Sequence, residues 1–191
     1  MITVLIPAHN EEDQVADAIA GLRAQTRAVD KIIVVSDNST DATEEVAAQA
    51  GAEVFRTQGN MHKKAGALNQ ALREYLRNAG DEDQVLIQDA DTVLVPRFVE
   101  VAEQHLTATT GAVGAVFYGA AGGGILGFFQ RSEFARYARD IDRKDQVAVL
   151  SGTPLSSARL PCGAWSRRVQ QARCRAEPVS MTRTPSPKTM S

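Results

Sequence analysis

Asp89 and Asp91 stand one residue apart, directly after the run QVLIQ. Hard carboxylate oxygens at this spacing can hold Mg²⁺ or Mn²⁺ and leave coordination positions open for phosphate oxygens. The plainer reading is a turn whose aspartates cap the following segment; a position at the end of a buried strand favours the ion. Asp37 follows another apolar run, IIVVS, and is itself followed by Asn38, Ser39 and Asp41. A carboxylate there is placed to accept hydrogen bonds from a nucleobase or ribose, whereas an Asx-turn with helix capping is the alternative, a task that suits Asp41. His9, Asn10 and Glu11 supply polar groups after a first apolar run, ITVLIP, where a helix amino end would favour anions. His62, Lys63 and Lys64 open a helical stretch, against the sense of the helix dipole, so a pyrophosphate partner or plain solvent exposure must account for them. Gly66 and Ala67 behind them allow close backbone approach.

These groups need a scaffold, and the sequence supplies alternating strand and helix signals. Strands are expected at Ile2–Pro7, Lys31–Ser36, Ala52–Arg56, Gln84–Gln88 and Ala112–Tyr118, where β-branched and apolar residues cluster. Helices are expected over Glu11–Gln25, with Val15, Ala18, Ile19 and Leu22 at helical spacing, from Asp41 and Glu44 to Gly51, over Lys64–Asn78, from Pro96 or Arg97, and over Leu126–Arg143. Strands alternating with helices imply an α/β fold, a mostly parallel sheet covered on both faces. In such sheets ligands gather where loops leave the carboxyl ends of the strands. The three polar loops, Pro7–Glu12, Ser36–Asp41 and Asp89–Asp91, all fall there.

Other features carry less. GAAGGG at 119–124 follows the fifth strand instead of the first and has no acidic partner about 20 residues on, so it is a loop and not a dinucleotide fingerprint. Phe128, Phe129, Phe134 and Tyr137 read as core or interface, and His105 as structural or exposed. Cys162 and Cys174 make neither a disulfide framework nor a four-ligand zinc site. No apolar run approaches the ~20 residues of a membrane span, and no secretory signal precedes the first strand, so a cytoplasmic place, or one peripheral to the inner membrane face, is expected.

The net charge of −2 hides an asymmetry. Residues 154–191 hold seven Lys/Arg, one acid, five of the seven prolines, both cysteines and the only tryptophan. That break sets an expected boundary at Thr153, with a basic, Pro-rich, disordered tail after it.

Taken together, LIPAHNEE, VVSDNSTDAT, HKKAGALNQAL, VLIQDADTVLVP and VLSGT resemble, in order and spacing over residues 1–153, the inverting family-two glycosyltransferases of GT-A fold. The resemblance implies metal-dependent transfer of a sugar from a nucleotide-activated donor, most often a UDP-sugar, to an acceptor hydroxyl. Partners would be that donor and a carbohydrate or lipid-linked acceptor, with no nucleic acid; intact relatives are often membrane-associated. It further implies that Pro7, Ala8, His9, Asn10 and Glu11, with Asp37, hold base and ribose, and that Lys63 or Lys64 approaches the phosphates. Asp89 would lie against ribose and metal, Asp91 would bind Mn²⁺ or Mg²⁺, and Ser151, Gly152 and Thr153 would lie near the acceptor or donor sugar.

The family places its general base, an aspartate of an ED-type pair, well after SGT, and this chain has no such pair there; Glu177 is the one acid beyond Thr153. A permitted back-translation of PLSSARLPCGAW, with one base restored and the adjacent frame read, gives AALFRAAAVRGV. The same frame through EPVSMTRTPSPKTMS gives AGVYDTDALTEDNE, which restores an acidic pair. Residues 154–191 are therefore expected to be frame-shifted sequence and the chain a fragment of a longer transferase. Two rival readings remain open at this stage: a nucleotide-sugar-binding module without turnover, and a nucleotidyltransferase-like α/β enzyme using the same metal and nucleotide logic.

Overall fold

The computed structural model describes residues 1–75, 77, 79–80 and 82–106, and beyond them residues 110, 112–114, 118–119, 132, 136, 154–157 and 181–183. Strands β1 (Ile2–Ala8), β2 (Lys31–Ser36), β3 (Glu53–Arg56) and β4 (Gln84–Ile87) run parallel in the order β3-β2-β1-β4. Helices α1 (Val15–Arg23), α2 (Thr43–Gln49) and α3 (Lys63–Tyr75) connect them, and α4 (Phe98–His105) follows the short strand β5 (Thr92–Leu94).

Each central strand is apolar on both sides, because both faces are covered. Ile2, Val4, Ile6 and Ala8 of β1, with Val34 and Leu86, pack against Val15, Ile19 and Leu22 of α1, Ala47 of α2, and Phe98, Val99 and Ala102 of α4. The alternate residues Leu5, Ile33, Val35, Val85 and Ile87 face Ala67 and Ala71 of α3. The period of two along each strand thus sorts one apolar run into two cores. At the edge of the second core Phe55 meets Tyr75 edge-on, centroids 5.9 Å apart.

The helix ends are fixed by a local signal in α2 and by distant partners at the starts of α1 and α4. α2 stops where Gly51, at φ +81°, takes the left-handed conformation, and the Ala52 N–H returns to the Ala47 carbonyl. α1 begins at Val15, not at Glu11 as periodicity suggested. Glu11–Gln14 form a turn closed by the Gln14 N–H on the Glu11 carbonyl, and the N–H groups of Glu11 and Glu12 donate to Thr43 Oγ1 and Asp41 Oδ2. α4 begins one residue after Arg97, without a capping side chain of its own. Gln25 supplies the cap from α1's far end: its Oε1 accepts the Val99 N–H at 3.0 Å, and its Nε2 donates to Val95 O at 2.8 Å.

Strand pairing takes in described residues on both sides of Thr153. Strand β6 (Ala112–Gly114) and strand β8 (Pro154–Ser157) complete a six-stranded sheet of order β3-β2-β1-β4-β8-β6. β8 is antiparallel to both its neighbours, with Leu155 aligned between Leu86 and Val113 and fully buried. Four residues of the compositionally odd tail therefore belong to the sheet, and Leu155 among them belongs to the core. Composition missed them because one buried leucine weighs little against the prolines and arginines around it. β7 (Tyr118–Gly119) and β9 (Met181–Arg183) join β5 in a separate three-stranded sheet. The single strand expected over Ala112–Tyr118 is thus described as pieces in two sheets. Of Leu126–Arg143 only Ser132 and Arg136 are described, and the rest of that stretch lies outside the described residues, as do Ser151, Gly152 and Thr153. Among the described residues no helix is long and apolar enough to cross a membrane.

Candidate functional site

Parallel register brings the carboxyl ends of β1, β2 and β4 to one edge: Ala8 aligns with Ser36, and Leu5 with Ile87. Strand order reverses direction at β1, between β2 and β4, which is the kind of switch point where open α/β sheets bind ligands. A cleft of about 270 Å³ opens there, lined by Pro7, Ala8, His9, Glu11, Asp37, Lys64, Ala67, Asp89, Ala90 and Asp91. Residues from three strand ends and one helix thus meet in one cavity.

The first two loops are bound together almost entirely by side chain to backbone hydrogen bonds. Asn10, at φ +56°, accepts the Thr40 N–H on its Oδ1 at 2.8 Å, and its own N–H reaches Ser39 Oγ. The Glu11 N–H donates to Thr43 Oγ1 at 2.8 Å. Glu12 is tied to the second loop twice: its N–H donates to Asp41 Oδ2, and its Oε2 accepts the Ala42 N–H. Asp41 Oδ1 also accepts the Thr43 N–H and hydroxyl. Burial works to raise the Asp41 pKa, but these hydrogen bonds to the ionised form outweigh it and hold the carboxyl below its ordinary value. Asn10 therefore stitches the loops and does not line the cleft.

His9 and Asp37 form the cleft wall between those loops. The Asp37 main-chain carbonyl lies 2.6 Å from His9 Nδ1; a carbonyl only accepts, so Nδ1 carries the proton and Nε2 is the nitrogen left over. Asp37 is buried. Its Oδ1 accepts the Thr57 hydroxyl at 2.7 Å and the Asn38 amide at 3.1 Å.

On the opposite wall Lys64 Nζ forms an ion pair with Asp89 Oδ1. The pair is half-exposed and worth little to stability, but it explains a cation at the start of α3. Lys63 precedes it at φ +51° and does not line the cleft, so of the two lysines considered, Lys64 is the one at the site. Asn60 secures this turn by accepting the His62 N–H at 3.0 Å and donating to the Lys63 carbonyl at 2.8 Å. Gly66 leaves room for that side chain, since a Cβ there would sit 1.9 Å from Asn60 Oδ1.

The Asp89–Asp91 turn rests on Gln88, which is fully buried. Its Nε2 donates to Thr92 O at 2.7 Å, and its N–H continues the sheet to Leu5 O. Thr57, Thr43, Gln25 and Gln88 were not singled out from sequence. Thr57, Thr43 and Gln25 each have a partner far along the chain, and Gln88 bonds the Thr92 carbonyl from a buried strand end, so no local spacing marks them.

Asp89 and Asp91 put hard carboxylate oxygens into the cleft. Among the described residues no group of three or more His, Cys, Asp or Glu gathers into a closed metal site. A divalent ion held by the two aspartates would fill its shell from water and a ligand's phosphate oxygens, the mode in which Mg²⁺ commonly binds. The donor set fits such an ion.

The sequence profile described as glycosyl transferase family 2 matches residues 3–156. The chain belongs to that family. Over 90 residues it is 32% identical to glycosyltransferase AglJ of Haloferax volcanii, covering 47% of this chain and 27% of that protein. Its structure resembles that of glucosyl-3-phosphoglycerate synthase from Mycobacterium tuberculosis in complex with Mn²⁺, UDP-glucose and phosphoglyceric acid. The TM-score is 0.58 at 26% identity, covering 84% of this chain and 57% of that one. The same synthase bound to Mg²⁺ and UDP matches with TM-score 0.57 at 26% identity, again over 84% and 57%. The chain thus spans little more than half the length of these solved relatives. The fold is GT-A-like, as the motifs implied. Family membership also accounts for four separated motifs converging on one cleft.

Proposed function

We propose that the cleft binds a nucleotide-sugar donor, a UDP-sugar, with a divalent Mn²⁺ or Mg²⁺ ion, and that the chain serves glycosyl transfer with inversion to an acceptor hydroxyl. The observation that carries this reading is the convergence of Asp37, Lys64, Asp89 and Asp91 on a single cavity at the switch point of the sheet. The solved relatives that bind UDP or UDP-glucose with Mn²⁺ or Mg²⁺ support it.

In this proposal the residues divide by wall. His9, Glu11 and Asp37, with the backbone of Pro7 and Ala8, receive base and ribose. Asp89 and Asp91 hold the ion, which neutralises charge developing on the departing diphosphate. Lys64 exchanges its Asp89 partner for a phosphate oxygen, so the cation and the carboxylate each keep an opposite charge when donor and ion enter together. Ser151, Gly152 and Thr153 remain proposed for the acceptor or donor-sugar side. In transfer the acceptor oxygen would bond to the anomeric carbon as that carbon's bond to UDP breaks. The acceptor proton would pass to a general base.

One sequence observation favours a second reading. Glu177 is the one acid beyond Thr153, where the family resemblance expects an acidic pair. On that reading the cleft holds the donor without turnover. Release of UDP, measured by chromatography on incubation with UDP-sugars, Mn²⁺ and a panel of sugar and phosphoglycerate acceptors, separates the two. Acceptor-dependent UDP release establishes transfer. UDP-sugar binding without release establishes the binding module. Pyrophosphate release from a sugar phosphate and a nucleoside triphosphate would instead identify a nucleotidyltransferase.

A further inference from the structure

Asp37 meets its surroundings asymmetrically. Oδ1 accepts two hydrogen bonds, from Thr57 Oγ1 at 2.7 Å and from Asn38 Nδ2 at 3.1 Å. A carboxylate oxygen offers about two lone-pair positions, so Oδ1 is saturated. Among the described residues nothing donates to Oδ2. Neither Thr57 nor Asn38 lines the cleft, whereas Asp37 does. The two donors therefore hold one oxygen from behind and leave the other as a single fixed acceptor at the cavity wall.

Both holders are themselves anchored. Thr57 follows β3, and its N–H donates to Ser36 O at 3.0 Å, next to the residue it orients. Asn38 sits at φ +55°, a left-handed conformation that asparagine tolerates better than most residues. That backbone turn lets its amide fold back onto the preceding carboxylate. The Asp37 N–H meanwhile donates to Ala8 O at 2.9 Å, which ties the carboxylate's own backbone to β1. Rotation of the carboxyl group would break two hydrogen bonds to a charged acceptor at once.

We propose that Thr57, assisted by Asn38, is a positioning residue that makes Asp37 a one-acceptor reader of the donor's base and thereby selects uracil. The proposal rests on the nucleotide-sugar reading above and deepens it. Uracil offers one ring N–H flanked by two carbonyls, which matches one free carboxylate oxygen. Cytosine presents a ring-nitrogen acceptor at that position, which a carboxylate repels. Guanine presents an adjacent N–H and NH₂ pair that matches both oxygens of a carboxylate. With Oδ1 occupied, half of that match is withdrawn. Discrimination thus comes from a hydroxyl that never touches the ligand.

Calorimetric titration with UDP, CDP, GDP and inorganic pyrophosphate, all with Mn²⁺, tests this in wild type, Thr57→Val, Thr57→Ser and Asn38→Gly. Valine keeps the shape of threonine and removes the donor, serine restores the donor, and glycine accepts the positive φ while removing the second donor. Wild type is expected to prefer UDP over GDP and CDP by about tenfold or more, the scale of one hydrogen bond to a charged group. Thr57→Val is expected to lose most of the UDP-over-GDP ratio, with pyrophosphate affinity unchanged. Asn38→Gly should shift the ratio in the same direction, and Thr57→Ser should recover it. A ratio unchanged in both Thr57→Val and Asn38→Gly overturns the proposal. So does a parallel fall in UDP and pyrophosphate affinity, which is what general loosening of the cleft would give. A wild type that prefers GDP overturns this proposal and leaves the nucleotide-sugar reading standing. A wild type that binds none of the three nucleotides overturns both.

Discussion

Asp41 shows how much of the site is held by single side chains that never face it. Its two oxygens accept the Glu12 N–H, the Thr43 N–H and the Thr43 hydroxyl, and so join the loop after β1 to the start of α2. Because its folded pKa lies below the unfolded value, the stabilisation is complete above about pH 4 and fades as pH falls through the lowered value. Asp41→Ala leaves two backbone N–H groups without their partner and should cost about 1 kcal/mol, in the range of lost helix caps. Thermal melts of wild type and variant are expected to differ at pH 7 and to converge as pH falls below the lowered folded-state value, where the carboxylate is protonated in both states. A gap that persisted unchanged at low pH would mean that the charge of Asp41 is not what holds the loops. Donor affinity should also fall in Asp41→Ala, since His9 and Glu11 ride on the same stitched loop.

At the scale of elements, the segment from Asn60 into α3 is the most exposed to a single change. Gly66→Ala would add a better helix former, a gain of about 1 kcal/mol. Its Cβ would also sit 1.9 Å from Asn60 Oδ1 and 2.8 Å from His62 Cβ. Asn60 would have to leave, with loss of its bonds to the His62 N–H and the Lys63 carbonyl. Two lost hydrogen bonds and a clash outweigh the propensity gain, so a net loss of about 1–2 kcal/mol is expected. Nucleotide affinity should drop along with the melting temperature, because Lys64 follows directly on that turn. A Gly66→Ala variant that melted higher and bound as well would refute this account of the turn. The elements themselves were legible in the sequence wherever periodicity is local. Val15, Ala18, Ile19 and Leu22 are the buried face of α1, and KIIVVS is a strand buried on both sides. Illegible were the elements defined by distant partners. β5 is three residues long, and β8 is four residues in an unpromising context. Neither has a period long enough to read. The same applies within the site: Asp37, Asp89 and Asp91 announce themselves by type and position after a strand and Lys64 by its charge at a helix start, whereas Thr57 matters through a partner that only the fold supplies.

For the whole molecule, the sheet depends on β8 lying between β4 and β6, where it completes the order β3-β2-β1-β4-β8-β6. Leu155, fully buried, faces the same core as α1 and α4. Leu155→Ala should destabilise the protein by about 2–5 kcal/mol, as other buried leucine truncations do. A loss under about 0.5 kcal/mol, the scale of a surface substitution, would show that β8 is not part of the cooperative core. The cleft ties these scales together, since strand order creates it, loop stitching shapes it, and a few carboxylates and one lysine give it chemistry. Calorimetric titration of UDP in the presence of Mn²⁺, with wild type and Asp91→Asn side by side, tests that claim most directly. The account predicts one UDP site in the wild type that disappears on adding EDTA and weakens at least about tenfold in Asp91→Asn, the loss of one hard anionic ligand to the ion. UDP binding that survived both EDTA and Asp91→Asn undiminished, or no binding by the wild type with Mn²⁺ present, would contradict it.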